Sequence, residues 1–167
     1  NCLYERQPRP KQSSLHTTLN VLEAWSYCLR YYPTYRLEEI KKTIPQGVDY
    51  LFSKELYLSS RTKEIISQDM LTFWFPHGWK YDILRALTLL VDLNIPFHPS
   101  MEKAYHYLRK RLDNQGRLKG AKTSPSLQHF RYTPTKQPCP YNTYRALKVI
   151  RYYDIDLYHH YLNQPLS

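Results

Sequence analysis

The sequence predicts an all-α fold assembled from αα-hairpins. Hydrophobic residues make up 42 % of the 167 residues, as is usual for a folded domain. Several segments carry apolar residues at spacings of three and four, which is the period of one helix face. Only 4 residues are glycine, whereas a β-rich protein needs glycine in its hairpin turns. The 12 prolines lie mostly between the apolar runs and separate one element from the next.

The first predicted hairpin contains two long helices. The first helix covers about residues 14–32, and Ser13 or Ser14 is its predicted N-cap. Its apolar face consists of Leu15, Leu19, Leu22, Trp25, Leu29 and Tyr32. The second helix covers about residues 37–56 and has Pro45 inside it. Because proline lacks an N–H group and clashes with the preceding turn, we expect Pro45 to kink this helix or to divide it.

The second predicted hairpin follows a linker at residues 59–78. Its first helix, at about 79–93, is apolar nearly all round, which predicts burial on several sides. Ser100 is expected to cap the partner helix at about 101–112. Residues 113–116 read Asp-Asn-Gln-Gly, which is typical of a turn.

The third predicted hairpin lies near the C-terminus. A connection at residues 117–140 precedes it, and loops of this length are unusual unless they are functional or mobile. Helices are predicted at about 141–153 and 155–162. Residues 1–12 are expected to form an N-terminal extension, and residues 13–167 a single domain.

Three of the predicted helices begin with the same pattern. The segments that start at His16, Tyr81 and Tyr141 align without gaps. Each begins with an aromatic or imidazole side chain, continues with a small polar residue and closes on a small residue followed by leucine. The αα-hairpin is therefore repeated about two and a half times, over residues 14–56, 79–112 and 141–162.

The two helices of each hairpin differ in character, since one is more hydrophobic and the other more amphipathic. Such units bury their apolar faces by stacking on their neighbours. We therefore expect an inner hydrophobic row inside an outer amphipathic row, as in an (α/α) toroid or part of one. A plain helical bundle and an open solenoid are the alternatives.

Three phrases resemble a known superfamily. They are residues 13–23, 75–87 and 141–147, and they look like segments of uncharacterised bacterial proteins of the squalene-cyclase and prenyltransferase α/α-toroid superfamily. Residues 113–118 are similar to the loop of those repeats that ends in Asp-Gly-x-Trp. Here Gln115 replaces the aspartate and Leu118 stands where tryptophan would be.

The resemblance implies a central, aromatic-lined cavity that holds an apolar or prenyl-like ligand. A complete toroid in that superfamily usually has more hairpins than this sequence contains. The resemblance therefore implies further repeats upstream of Asn1, or a partner chain such as a second copy that completes the ring.

The repeat also predicts a candidate ligand site. The inner helices of such a fold run parallel, so their N-terminal ends meet and favour anionic or polar ligands. Trp74 is expected to lie beside Trp79 at the opening of the central cavity. The predicted ligand-binding residues are His16, Thr17, Asn20, Trp79, Tyr81, Asp82, Arg85, Tyr141, Asn142 and Arg145.

A purely structural interpretation accounts for the same residues. Thr17, Asp82 and Asn142 would then cap or charge-match their own helices. Arg85 and Arg145 would pair in the interior with Glu23 or Asp82.

The catalytic motifs of the superfamily are not recognised in the sequence. Squalene-type cyclases use an Asp-x-Asp-Asp acid, whereas residues 154–157 read Asp-Ile-Asp-Leu. Protein prenyltransferases bind zinc through Asp, Cys and His, but Cys139 lacks a neighbouring aspartate. His159 and His160 are adjacent and so point in different directions on a helix. No catalytic residue, metal or cofactor is therefore predicted, although an inverting glycosidase that uses Asp82 and Glu23 stays open.

The formal net charge of +10 raises the question of an acidic partner. The densest basic cluster contains Arg109, Lys110 and Arg111, followed by Arg117, Lys119 and Lys122. Because cations are favourable at a helix C-terminus, a solvated face explains this cluster better than nucleic acid does. Two alternatives to ligand binding remain, namely a non-catalytic scaffold with an exposed apolar edge and a basic, nucleic-acid-binding helical repeat.

The sequence predicts a cytoplasmic protein without a membrane span. Its longest apolar stretch, residues 83–95, is short and interrupted by polar residues. The cysteines at positions 2, 28 and 139 are odd in number and form no C-x-x-C pair, so we expect free thiols in a reducing compartment. The chain has no signal-peptide pattern, and its start at Asn1 rather than Met indicates a piece of a longer protein.

Overall fold

The computed structural model describes residues 13–120 and 137–165. The six α-helices in these ranges are α1 (Leu15–Tyr31), α2 (Leu37–Ser53), α3 (Ile83–Asp92), α4 (Glu102–Arg111), α5 (Pro140–Tyr153) and α6 (Ile155–Leu162). Within the same ranges, β-pairing is limited to isolated bridges. The all-α prediction is therefore confirmed. The predicted extension at 1–12 and residues 121–136 of the predicted connection lie outside the described residues.

The helices pack as three consecutive pairs. α1 contacts α2, α3 contacts α4, and α5 contacts α6. α3 also lies between α1 and α5 and contacts both of them. Eight of its ten residues are buried, which confirms that this helix is covered on several sides. The first helix of each pair, α1, α3 and α5, thus stands in one row, and the row determines which side chains can meet.

The first helix of each of the first two pairs begins at a side-chain cap. The Ser14 hydroxyl accepts a hydrogen bond from the Thr17 N–H at 3.1 Å. Ser14 is one of the two residues that were predicted to cap α1. The Asp82 carboxylate accepts one from the Arg85 N–H at 2.8 Å and starts α3 at Ile83. The predicted start at Trp79 is therefore wrong by one turn, because the cap at Asp82 sets the boundary.

Of the two outcomes predicted for Pro45, division of the helix is wrong, and the cap predicted at Ser100 is wrong as well. α2 is one α-helix through Pro45, so it is not divided there. Ile44 and Val48, on either side of Pro45, are both buried, and their packing holds the helix together. Ser100 does not cap α4, since it lies inside a short 3₁₀ turn at Pro99–Met101. The His98 ring caps that turn by accepting the Ser100 N–H at 3.2 Å.

The predicted turn at residues 113–116 is present after α4. The Asp113 carboxylate accepts the N–H groups of Gln115 and Arg117, each at 2.9 Å. Gly116 has a φ of +70°, and a Cβ atom there would come within 2.7 Å of the Tyr161 ring. The glycine is therefore required both by the backbone and by the contact with α6.

The structure also bears on the predictions about membrane spans and free thiols. Across residues 13–120 and 137–165, every helix is too short or too polar to cross a bilayer. Cys28 and Cys139 are free thiols, and Cys2 lies outside the described residues.

Candidate functional site

A cleft of about 320 Å³ opens between α1, α3 and α5. It is lined by Glu23, Ser26, Tyr27, Arg30 and Tyr31 of α1, by His77, by Arg85, Thr88, Leu89 and Asp92 of α3, and by Arg145 of α5. Most of these side chains are polar or charged. Arg85 and Arg145 are the two members of the predicted ligand set that line it.

Arg85 is the centre of a hydrogen-bond network that joins α1 to α3. Its guanidinium is bidentate on the Glu23 carboxylate and donates to Asn20 Oδ1 at 2.6 Å. It also donates to the Lys80 carbonyl at 2.8 Å and to the Gly78 carbonyl at 3.3 Å. The side chain is only 6 % exposed. These contacts agree with the structural interpretation of Arg85, because its donors already have partners inside the protein.

Arg145 is placed differently, although it occupies the same position of the repeat. Within the described part of the chain, no carboxylate lies at salt-bridge distance from its guanidinium, which donates only a long hydrogen bond of 3.4 Å to Asn142 Oδ1. Burial lowers the pKa of Arg145, and the fields of Asp82 and Glu23 oppose that effect. This half-buried guanidinium therefore keeps N–H donors that have no close partner among the described residues.

Asp82 is a fully buried carboxyl behind this arginine. Its Oδ1 caps α3, but its Oδ2 is buried with no hydrogen-bond partner among the described residues. Burial raises the pKa of Asp82 to about 6, and the charge of Arg145 is the largest opposing influence. This carboxyl therefore changes its charge near neutral pH rather than in acid.

Replacing Asp82 with asparagine tests this shift, since asparagine is an equally good helix cap. The folded-state pKa lies above the ordinary value of 3.8, so the acid contributes its full stability below about pH 4 and loses it as the pH rises through about 6. We expect the free energy of unfolding of the wild type, relative to Asp82→Asn, to fall over this interval. Urea unfolding of both proteins at several pH values measures it. A difference that rises with pH would show that the carboxylate is stabilised rather than strained by its surroundings.

His77 is a second titratable group of the cleft. Its Nδ1 is buried without a hydrogen-bond partner among the described residues. Burial lowers the pKa of His77 to about 4, and the positive charges of Arg145 and Arg85 lower it further. The ring is therefore neutral at physiological pH and offers one donor and one acceptor. His77 was not among the predicted ligand-binding residues, although its position in an aromatic segment just before α3 was an available signal.

His16, Trp79 and Tyr81 form a cluster at the start of α1. His16 Nδ1 accepts the Tyr81 N–H at 3.1 Å, and its ring lies 5.5 Å from that of Trp79. Tyr81 is fully buried, whereas Trp79 is 68 % exposed. This cluster joins α1 to the segment before α3, outside the lining of the cleft.

The other predicted residues also have local partners. The Tyr141 ring stacks on Phe75 at 4.1 Å. Asn142 is buried and donates to the Phe73 carbonyl at 2.8 Å, so its expected role as the cap of α5 is wrong. Thr17 is exposed and shares a hydrogen bond of 3.0 Å with Ser14.

Two tyrosines of α1 complete the cleft and were missed. The rings of Tyr27 and Tyr31 lie 4.4 Å apart, and both are more than half exposed. Beside them, Asp92 accepts from Arg30 at 3.2 Å and from Lys148 at 2.5 Å. The spacing of four residues between the tyrosines was the available signal, but it did not reveal which helix faces them.

Metal binding has no geometric basis in the described ranges, where no three His, Cys, Asp or Glu side chains are grouped to hold an ion. Comparisons of the chain with protein-family models, with curated proteins and with solved structures gave no match. The structure is an all-helical protein of packed helix pairs, with a cleft between α1, α3 and α5 that is lined by charged side chains and two tyrosine rings. The function is therefore inferred from the geometry of that cleft.

Proposed function

We propose that this chain binds a small ligand that carries an anionic group, in the cleft between α1, α3 and α5. One observation carries the proposal. Arg30 and Arg85, the other two arginines of the lining, are paired with Asp92 and Glu23, whereas Arg145 has no comparable carboxylate partner among the described residues. A carboxylate or phosphate of the ligand would supply that partner through charge-assisted hydrogen bonds.

The remaining lining suggests the rest of the ligand. Tyr27 and Tyr31 offer ring faces, and neutral His77 offers one further hydrogen bond. The resemblance to the toroid superfamily led us to expect an apolar or prenyl-like ligand. The charged side chains and the tyrosine ring faces of the lining together favour a ligand whose anionic head meets Arg145 and whose ring or apolar part lies against the tyrosines. The proposal assigns no chemical reaction to the site.

Replacing Arg145 with glutamine is expected to weaken the binding of phenyl phosphate or benzoate by ~10- to 100-fold, since it removes a charge-assisted contact. Titration followed by NMR on the whole chain measures the dissociation constants. Arg151→Gln is the matched control, because Arg151 is an exposed arginine of the same helix and lies 5.9 Å from the Tyr158 ring. Thermal unfolding of both variants verifies that they are folded.

The proposal fails if Arg145→Gln binds both probes as tightly as the wild type, or if Arg151→Gln loses as much affinity. In the structural interpretation, Arg145 serves only as an internal counterion of Asp82, and the cleft binds neither probe. That result would also contradict the proposal.

We further propose that the three helix pairs form an arc of an α/α toroid whose inner row is α1, α3 and α5. The internal repeat and the packing of α3 between α1 and α5 support this arrangement. Additional hairpins or a second copy of the chain would then cover the exposed rings of the inner row. These rings include Tyr27 and Tyr31 of α1 and Tyr144 of α5.

A further inference from the structure

The positive charge of the described chain is concentrated in one short segment. Residues 101–120 contain six lysines and arginines but only two aspartates and glutamates. The other described residues, 13–100 and 137–165, contain 12 lysines and arginines against 11 aspartates and glutamates, so they are nearly neutral. The segment consists mainly of α4 and the turn after it. Such an asymmetry points to an anionic partner for one face of the protein.

Four basic side chains of this segment lie on one side of α4. His106 is three residues from both Lys103 and Arg109 and four residues from Lys110, and such spacings place side chains next to each other on a helix. His106, Arg109 and Lys110 line a groove of about 330 Å³ together with Tyr161 of α6. We call this the basic groove, and its lining contains no acidic residue. None of these side chains lines the cleft of the proposed function, so the two sites can be tested independently.

The cations of the basic groove are incompletely neutralised by the protein. Within the described part of the chain, no carboxylate lies at salt-bridge distance from Lys110. Arg109 is 46 % exposed and reaches Asp154 only at 3.7 Å. The Asp154 carboxylate is also engaged elsewhere, since it accepts the Leu157 N–H at 3.0 Å and caps α6. An exposed, loosely paired arginine and an unpaired lysine can turn towards an external anion at little cost.

The other carboxylates beside the groove do not cancel this charge. Glu55 is shared by two lysines, Lys63 at 3.0 Å and Lys103 at 2.8 Å. Glu102 is exposed in the first turn of α4. The helix dipole favours the cations in the last turn of α4, but it does not remove their charge from the surface. Three carboxylates thus lie among four lysines and arginines, and the face stays positive.

Tyr161 gives the basic groove a ring as well as charge. The ring is partly buried against the core, and a Cβ atom at Gly116 would come within 2.7 Å of it, so it is held by its neighbours. Bases of single-stranded nucleic acid stack on such rings while cations follow the phosphates, whereas the bases of a duplex stack on one another. Charge alone is explained by a solvated face, but a cationic groove with a ring favours a single strand.

From the concentration of charge and the ring beside it, we infer that α4 and α6 form a surface that binds single-stranded nucleic acid. The phosphates accept hydrogen bonds from Arg109 and Lys110, and a base stacks on Tyr161. These contacts read no base edge, so the binding is independent of sequence.

Fluorescence anisotropy with a labelled oligothymidylate of about 12 nucleotides tests the inference on the whole chain at several salt concentrations. Replacing Arg109 and Lys110 together with glutamine should weaken binding ~10- to 30-fold and lower the salt slope by about 1.4, because two phosphate contacts are lost. The matched control replaces Lys41 and Lys42 with glutamine, which removes the same charge from exposed neighbouring positions of α2. Its affinity should stay within ~2-fold of the wild type.

Tyr161→Leu tests the stacking contact. It should weaken binding ~5-fold with an unchanged salt slope, since no charge is lost. Arg109 and Lys110 are exposed, so their variant stays folded and informative even where Tyr161→Leu is destabilised. An equal loss in the α2 control, or no binding of the oligonucleotide at low salt, would overturn the inference. Tighter binding to a DNA duplex or to phosphatidylserine vesicles than to the single strand would also overturn it.

Discussion

Replacing Arg85 with alanine is expected to lower the free energy of unfolding by about 3 kcal/mol. The substitution removes every donor of the network, and it leaves the Lys80 and Gly78 carbonyls and the Glu23 carboxylate without the guanidinium. We expect a smaller loss of unfolding free energy than for a fully buried ion pair, because the Glu23 side chain is 33 % exposed. Urea unfolding followed by circular dichroism measures it.

Arg30→Ala is the matched control for this prediction. Arg30 also lines the cleft and also pairs with a carboxylate, but its side chain is 58 % exposed. Its replacement should therefore cost only about 0–1 kcal/mol. A double-mutant cycle with Glu23→Gln isolates the Arg85–Glu23 contact. If Arg85→Ala were no more destabilising than Arg30→Ala, the network would not be what holds α1 against α3.

Replacing Tyr81 with alanine should destabilise the chain by about 3–5 kcal/mol, as is usual for truncating a buried aromatic ring. Tyr81 is fully buried, its hydroxyl donates to the Leu56 carbonyl, and its N–H donates to His16. It therefore links α1, the turn after α2 and the start of α3. Burial raises the pKa of its hydroxyl, so the group stays protonated over the working range of pH.

Tyr81→Phe separates the ring from its hydroxyl. It keeps the packing and leaves one buried carbonyl unpaired, so we expect a loss of about 1–2 kcal/mol. Tyr144→Ala, at a tyrosine that is 69 % exposed, should stay within about 0.5 kcal/mol of the wild type. Equal losses for Tyr81→Phe and Tyr81→Ala would mean that the hydroxyl, rather than the packing of the ring, determines the stability at this position.

The candidate site was predicted from the sequence only in part. The repeat drew attention to Arg85 and Arg145, and both line the cleft. Tyr27 and Tyr31 were missed, because helical periodicity shows which face of a helix is apolar but not which helix lies opposite. His77 was missed because it lies in the irregular segment before α3, where no periodicity applies. Asn142 was misjudged for a related reason. Its position near a helix start suggested a cap, but α5 begins two residues earlier, at Pro140, so Asn142 lies inside the helix and donates to the Phe73 carbonyl of a distant segment.

What the sequence by itself determined is local. The helices, the Ser14 cap, the burial of α3 and the turn around Gly116 depend on spacing, capping chemistry and backbone preference within a few residues. The tertiary structure decided how two arginines at equivalent repeat positions are used. Arg85 on α3 meets Glu23 of the neighbouring α1, whereas Arg145 on α5 meets only Asn142 at hydrogen-bond distance among the described residues. Pairing across helices depends on which elements pack together, and that placement leaves Arg145 without a carboxylate at salt-bridge distance among the described residues.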